Sequence, residues 1–259
     1  MSDSAMRTRT DPRISRRRRA VARSRRRKIF TRVAVLLGMG ALLWLCFFSP
    51  LLSVRSVVVA GASHTTPDAV ARVAGLDQSD NILLLSTEDV ARNVRSLPWV
   101  KKVTVDRKLF GSVKIRVVER RPAMILSLGA ARWTVDGTGR VLEAGAAEGD
   151  LPVLAGAEVS DVEPGRAVAS AEVAGALSAY SSMPRALRSQ VEAVFAPTIE
   201  RLTFAMTDGI QVRYGAAEQH ESKNEVLRIL LPRLRREGRT TAYVDVRVPQ
   251  SPAVSNRAP

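Results

Sequence analysis

The pattern of apolar and polar positions opens with an uncharged run of about twenty residues, Val33 to Leu52, behind a polar, arginine-rich stretch. Twenty helical residues rise about 30 Å, the hydrocarbon thickness of a bilayer, so this run predicts one membrane-spanning helix at 33–52. Beyond it the period changes. Val54, Val57, Val58 and Val59 form a β-branched run closed by Gly61, which predicts a strand at 54–60. Thr66-Pro67-Asp68 supplies a capping hydroxyl and a first-turn proline for a short helix over Val70, Val73 and Ala74, stopped by Gly75. Ser86-Thr87-Glu88-Asp89 starts a second helix, which buries Val90, Val94 and Leu97 and ends at Pro98. Val103 and Val105, then Val113, Ile115 and Val117, alternate with polar neighbours as a hairpin turning at Leu109-Phe110-Gly111. The order is β-α-α-β-β, with two helices able to cover one face of a three-stranded sheet.

After Pro122 the pattern becomes mainly strands. Trp133 to Val135 and Val141-Leu142 flank the turn Asp136-Gly137-Thr138-Gly139, and Ile199 to Met206 and Ile210 to Tyr214 flank Thr207-Asp208-Gly209. Residues 170–183 are alanine-rich and favour helix, whereas Leu187 to Phe195 fits helix or strand equally. Glu221 to Arg236 carries Val226, Leu227, Leu230 and Leu234 on one side, a helix that Pro232 should kink or restart with a new turn and that Gly238 should close. Tyr243 to Val248 alternates as a last strand, and Pro249 and Pro252 end the ordered chain in a flexible tail at 250–259.

Charge sets the orientation of the span. Residues 1–32 hold thirteen Lys and Arg, from Arg7 to Arg32, against Asp3 and Asp11, a net +11 of the chain's +15. Such an excess holds its flank in the cytoplasm, so the residues after Leu52 are expected outside it. The tail itself, a disordered segment at 1–32, is suited to anionic lipid, and its place beside the span argues against nucleic acid as its partner. A cleaved signal is the competing reading, from Arg26-Arg27 and Ala60-Gly61-Ala62, but the apolar run is longer than a signal's and cleavage there would split the first strand. The one cysteine, Cys46, falls inside the run, so no intramolecular disulfide is available and the outer domains rest on their cores.

Catalytic chemistry is not visible. The two histidines, His64 and His220, are 156 positions apart and read as solvated polar residues. No zinc-ligand spacing and no phosphate-cradling glycine loop occurs, so neither metal nor cofactor is expected. Glu119, Arg120 and Arg121 end a strand and read as a charged, solvated surface with a partner contact as the second possibility. What remains is binding, for which an unpaired sheet edge offers a row of backbone donors and acceptors to an extended partner.

Val57-Val58-Val59-Ala60-Gly61, Leu97-Pro98-Trp99-Val100 and Val117-Val118-Glu119-Arg120-Arg121-Pro122 together resemble the FtsQ/DivIB cell-division proteins. They match that family's opening strand, its helix-to-strand junction and the V-x-E-R-x-P exit of its POTRA domain. Gly111 departs from the family, where proline commonly follows the aromatic residue. The Asp136-Gly137 hairpin, the Lys223-bearing helix and Tyr243-Val244-Asp245-Val246-Arg247 look like its second domain, so the resemblance covers about 30–255.

The resemblance implies an α+β protein: a single N-terminal transmembrane helix, a β-α-α-β-β POTRA domain at 53–122, then a mainly antiparallel β domain with flanking helices at 123–249. It implies a non-enzymatic divisome scaffold, a single-pass type II protein of the cell membrane at the division septum. The implied partners are membrane proteins of the FtsB/DivIC and FtsL type and septal peptidoglycan synthesis proteins. The acceptor for such a partner maps to Tyr243, Val244, Asp245, Val246, Arg247 and Val248, and to Ala253 and Val254, where no Gly-Trp pair follows. Tyr243 to Val248 fits an internal strand equally well. The alternative function is a POTRA-bearing factor of envelope protein assembly or transport, which would call for a cleaved signal and a long series of barrel strands.

Overall fold

A computed structural model describes residues 28, 30–42, 44, 52–78, 80–108, 111–237 and 242–256. Most of the basic tail, the second half of the expected span, the Leu109-Phe110 turn and the Gly238 stop lie outside them. Residues 30–42 are helical and expose Phe30, Val35, Leu36, Leu37 and Leu42. Among the described residues no helix is long and apolar enough to cross a membrane.

The chain divides into two compact units, one of residues 1–57, 76–85 and 107–113, the other of 58–75, 86–106 and 114–259. In the first, the backbone after the apolar run is tied to the loop 76–85. Ser53 bridges Asn81, the Val54 amide donates to the Asp80 carbonyl at 2.9 Å, and the Ile82 amide to the Leu52 carbonyl at 2.8 Å. Among its described residues, Val54, Ile82 and Val113 are the buried side chains.

The expected β-α-α-β-β order is present as β1 (Ser56–Ala60), α1 (Pro67–Ala74), α2 (Thr87–Arg95), β2 (Val100–Lys108) and β3 (Ser112–Glu119), with the strands in the order β1-β3-β2. Both helices form for the local reasons that the sequence offers. The Thr66 hydroxyl accepts from the Ala69 amide with Pro67 in the first turn, and Gly75 closes α1 in the left-handed region at φ 66°. The Ser86 hydroxyl caps α2, whose first turn holds Glu88 and Asp89 at the positive end of the helix dipole. Gly61, at φ 84°, is required twice over, because a Cβ there would also collide with the Val117 carbonyl oxygen.

The second sheet has nine strands in the order β12-β11-β10-β9-β8-β7-β4-β5-β6. It begins with β4 (Pro122–Leu128), β5 (Ala131–Asp136), β6 (Val141–Ala144) and β7 (Val153–Ala155). The helices α3 (Ala171–Ser182) and α4 (Arg185–Arg188) lead to β8 (Val191–Phe195), β9 (Leu202–Met206) and β10 (Gln211–Gly215), and α5 (His220–Arg236) leads to β11 (Tyr243–Asp245) and β12 (Ala253–Ser255). Pairing is mainly antiparallel, as expected. It is parallel between β4 and β7, β7 and β8, and β10 and β11. The last two follow from connectivity, since α3 with α4, and then α5, carry the chain back before the next strand. One apolar face is covered: Met124, Leu126, Leu154, Val194, Phe204, Val212 and Tyr214 share a core with Leu177 of α3 and Leu227, Leu231 and Leu234 of α5.

Three points fill in the sequence reading, and one, the tail, is corrected. The strands β4 and β7 have no counterpart in the sequence reading. The ambiguous segment 187–195 is a helix end followed by a strand. The expected helix over 221–236 is present, with Pro232 inside it. The expected flexible tail contributes β12, paired to β11 through Tyr243 with Ser255, Val244 with Val254 and Asp245 with Ala253.

Candidate functional site

The two ends of the nine-stranded sheet differ. Beside β6 the segment after Glu163 turns back onto the strand: the Val141 amide donates to the Arg166 carbonyl, the Gly165 amide to the Val141 carbonyl, both at 2.8 Å, and Arg140 bridges Ala167. That edge is occupied. At the other end, among the described residues, no strand lies beyond β12. The Ser255 carbonyl accepts from the Ala242 amide at 2.8 Å, so Ser255 faces β11. Alternation along a strand then turns the Val254 amide and carbonyl to the open side. The Val254 side chain is 44% exposed and Val248, in the turn between the last strands, 58%.

This geometry sorts the candidate acceptor residues. Tyr243, Val244 and Asp245 are in an internal strand flanked by β10 and β12, and Val244 and Val246 are buried in the core. Of the two readings open for Tyr243 to Val248, the pairing supports the internal strand, which ends at Asp245 and is paired on both sides. Arg247 folds back on Asp245, donating from Nε at 3.0 Å and Nη2 at 2.7 Å. Burial opposes the charge on Asp245, but the Arg247 bonds outweigh it and hold the carboxyl below its ordinary pKa. Ala253 and Val254 alone of the candidates lie on the open edge strand.

Next to this end of the sheet is a polar cavity of about 400 Å³ lined by Glu200, Arg201, Thr203, Gln211, Arg213 and Arg247. Arg213 lies over the Tyr243 ring, 4.0 Å from its centroid, a stacking that fixes the guanidinium plane. Arg247 is already paired with Asp245, which leaves Arg201 and Arg213 beside Glu200 as the cations for an acidic partner. Sequence reasoning did not single out Arg201 or Arg213, because the strand register that gathers them is set by tertiary pairing.

The Glu119-Arg120-Arg121 group is not the solvated surface expected from its charges. Glu119 reaches across to the loop after Gly61 and accepts from the Ser63 hydroxyl at 2.6 Å and from the amides of Ser63, His64 and Thr65 at 3.0, 3.1 and 2.9 Å. Burial opposes its charge, but these bonds dominate and bring its pKa down to about 2. Arg120 pairs with Asp136 at 2.7 Å. Only Arg121 is exposed. Glu119 and Arg120 are held inward because each keeps hydrogen-bonding partners for its charge there.

The histidines are likewise engaged. His64 stacks on Trp99 at 4.1 Å between centroids and has Nδ1 3.3 Å from Glu119. His220 lies 3.0 Å from the Tyr214 hydroxyl and 3.3 Å from that of Ser178, and burial together with the nearby Lys223 lowers its pKa. The expectation of solvated histidines is corrected for His220, which is half-buried. Among the described residues no three His, Cys, Asp or Glu side chains converge as metal ligands.

Residues 52–120 match the family model for the POTRA domain of FtsQ type, and residues 130–247 that for the C-terminal region of cell division protein FtsQ/DivIB. Among similar proteins, the cell division protein FtsQ of Corynebacterium glutamicum is 27% identical over 195 residues, covering 75% of this chain and 84% of that one. That of Anaeromyxobacter is 28% identical over 204 residues, covering 76% and 69%. That of Streptomyces bingchenggensis is 27% identical over 248 residues, covering 93% and 90%. With one family model on each sheet and relatives of a single name along most of its length, the chain belongs to the FtsQ/DivIB family of cell-division proteins.

Proposed function

We propose that this protein is a non-enzymatic scaffold of the division machinery, anchored in the cell membrane by one span at 33–52 with its amino terminus in the cytoplasm. Its outer domains gather other membrane division proteins at the septum and so support septal wall synthesis. The working surface is β12, which receives one strand from a coiled-coil partner of the FtsB or DivIC type that operates with FtsL.

The observation that carries this reading is the asymmetry of the large sheet, with β6 covered by residues 165–167 and, among the described residues, no strand beyond β12. Exposed strand edges are ordinarily blunted because they invite pairing. Here the open strand is short, carries an exposed valine and adjoins arginines, an arrangement that suits a specific strand with acidic neighbours. The apolar, acid-free run behind a net charge of +11 supports the anchor and its orientation.

The test uses full-length protein in membranes. Val254→Pro removes an outward amide without removing the strand, and partner capture by site-specific crosslinking should fall at least about tenfold, one factor of 1.4 kcal/mol. Deletion of 250–259 should do the same. Unchanged capture in both variants would reject the edge. Depletion should give filaments or failed septa with the tagged protein at midcell; a uniform distribution with normal septa would reject the division role.

A further inference from the structure

We infer that the loop carrying Leu83 and Leu84 is a second membrane contact of this protein, a wedge that lies in the lipid interface beside the point where the anchor leaves the bilayer. The inference rests on the reading of 33–52 as a span.

Leu83 is 46% and Leu84 72% exposed, whereas their neighbour Ile82 is 2% exposed. Two adjacent leucines facing water at the tip of a mobile loop would need no explanation, since single exposed apolar residues are common. This loop is held from several sides. The Asn81 side chain accepts from the Leu83 amide at 2.8 Å, and its carbonyl from the amides of Leu84 and Leu85 at 3.1 and 2.9 Å. Arg107 donates to the carbonyls of Leu83 and Leu85 at 3.1 and 3.0 Å. The amides of Leu83, Leu84 and Leu85 and the carbonyls of Leu83 and Leu85 are thus bonded inside the protein, which lowers the cost of entering an apolar medium, and the leucine side chains are left outward. A fold that spends one arginine on fixing this conformation keeps two leucines in a position they would leave if the loop collapsed.

The placement names the occupant. The Ile82 amide is bonded to the carbonyl of Leu52, the last residue of the apolar run. Leu83 and Leu84 therefore follow, by one and two residues, a backbone group fastened to the end of the anchor. Anything at that level faces headgroups and upper acyl chains, where leucine is favoured. Charge contributes little: over 53–57, 76–85 and 107–113, Arg55, Arg107 and Lys108 exceed Asp77 and Asp80 by a single charge. Apolar insertion rather than attraction to anionic lipid is the driving term, so the contact persists in neutral bilayers.

The experiment places an environment-sensitive fluorophore on single cysteines in the full-length Cys46→Ala protein, reconstituted in phosphatidylcholine vesicles with spin-labelled lipid as quencher. Leu84→Cys is the reporter, Leu42→Cys reports the span and Glu192→Cys, exposed on β8, is the aqueous control. The expected result is blue-shifted, lipid-quenched emission at 42 and 84, with quenching at 84 at least threefold above that at 192. Leu83→Cys gives the same reading independently. Lipid quenching at 42 with water-like emission at 84 overturns the wedge and leaves the anchor standing. Water-like emission at 42 overturns the anchor and the wedge together. Emission at 84 that is blue-shifted yet unquenched by lipid means that protein covers the loop, which also overturns the wedge.

Discussion

The guanidinium of Arg120 donates to the carboxylate of Asp136 at 2.7 Å, with the two side chains only 16% and 7% exposed. Asp136 also accepts from the Thr138 hydroxyl at 2.6 Å and from the amides of Thr138 and Arg140 at 2.8 and 3.0 Å. Arg120 in turn donates from Nε to the Val100 carbonyl at 3.2 Å. One ion pair thus links the end of β2–β3 to the turn between β5 and β6. Burial alone would disfavour the Asp136 charge, but its donors outweigh that and lower its pKa.

Removing one partner strands the other. Arg120→Met or Asp136→Asn should each destabilise the fold by up to about 3–5 kcal/mol, while Arg120→Met combined with Asp136→Leu should cost less than the sum, because a buried pair replaced whole leaves no orphan charge. Denaturant unfolding of the full chain in detergent checks this. Arg140, whose Nε is buried without a bond, feels both burial and the like charge of Arg120. In Asp136→Asn those two cations lose their shared anion, so that single variant should be the most sensitive to low salt.

Glu119 predicts an acid transition. Its folded pKa of about 2 lies below the ordinary carboxylate value, so the ionised form binds the Ser63–Thr65 loop more tightly than the protonated form does. The sign follows: this contribution is whole above about pH 4.5 and is lost as pH falls toward 2. Glu119→Gln should flatten the acid limb of stability over that window and cost about 1.5–3 kcal/mol at neutral pH, the range for bonds to a charged group. An unchanged acid limb in thermal unfolding would remove Glu119 as the latch.

How far these features could be read in advance depends on range. Helices α1 and α2 were legible because Thr66, Pro67, Gly75 and Ser86 are local signals that act within one turn. Strands β5, β6, β9 and β10 were legible from alternation and from glycine turns. The strand β7 was missed: three residues, Val153 to Ala155, are too few to show a period, and they become a strand only by parallel pairing between β4 and β8. The strand β12 was hidden by its prolines and polar neighbours. The partners of Glu119 and Arg120 were illegible for another reason, because Ser63 lies 56 positions from Glu119 and Asp136 lies 16 from Arg120. A sequence gives the charge of such a group and not its distance from a donor.

Gly61 tests the packing of β1 on β3. A methyl group there meets both the φ of 84° and the Val117 carbonyl oxygen. Gly61→Ala should therefore destabilise by more than the roughly 1 kcal/mol of an ordinary left-handed glycine. Gly129→Ala is the control, since a Cβ at Gly129 meets nothing within 4 Å although its φ is 62°. Comparable unfolding midpoints for the two variants would show that backbone conformation alone accounts for the loss and that the close approach adds nothing.

Lys223 predicts an alkaline effect of the opposite kind. The residue is 3% exposed, and its ammonium donates to the carbonyls of Tyr214 and Ala216 at 2.9 and 2.8 Å, which fastens the first turn of α5 to the end of β10. Burial lowers its pKa, with the Glu218 charge opposing. The unfolded chain then holds this proton more firmly than the folded one, so the native state gains stability as pH rises from the lowered value toward about 10.4. Lys223→Met keeps the bulk, leaves two carbonyls unpaired and should cost about 1–3 kcal/mol for each at pH 7. Because the variant has no proton to release, the stability difference between wild type and Lys223→Met should widen as pH rises toward about 10.4. A difference that narrows over that rise would mean that the lysine binds its proton at least as tightly in the folded protein, with the two carbonyls rather than burial deciding its charge.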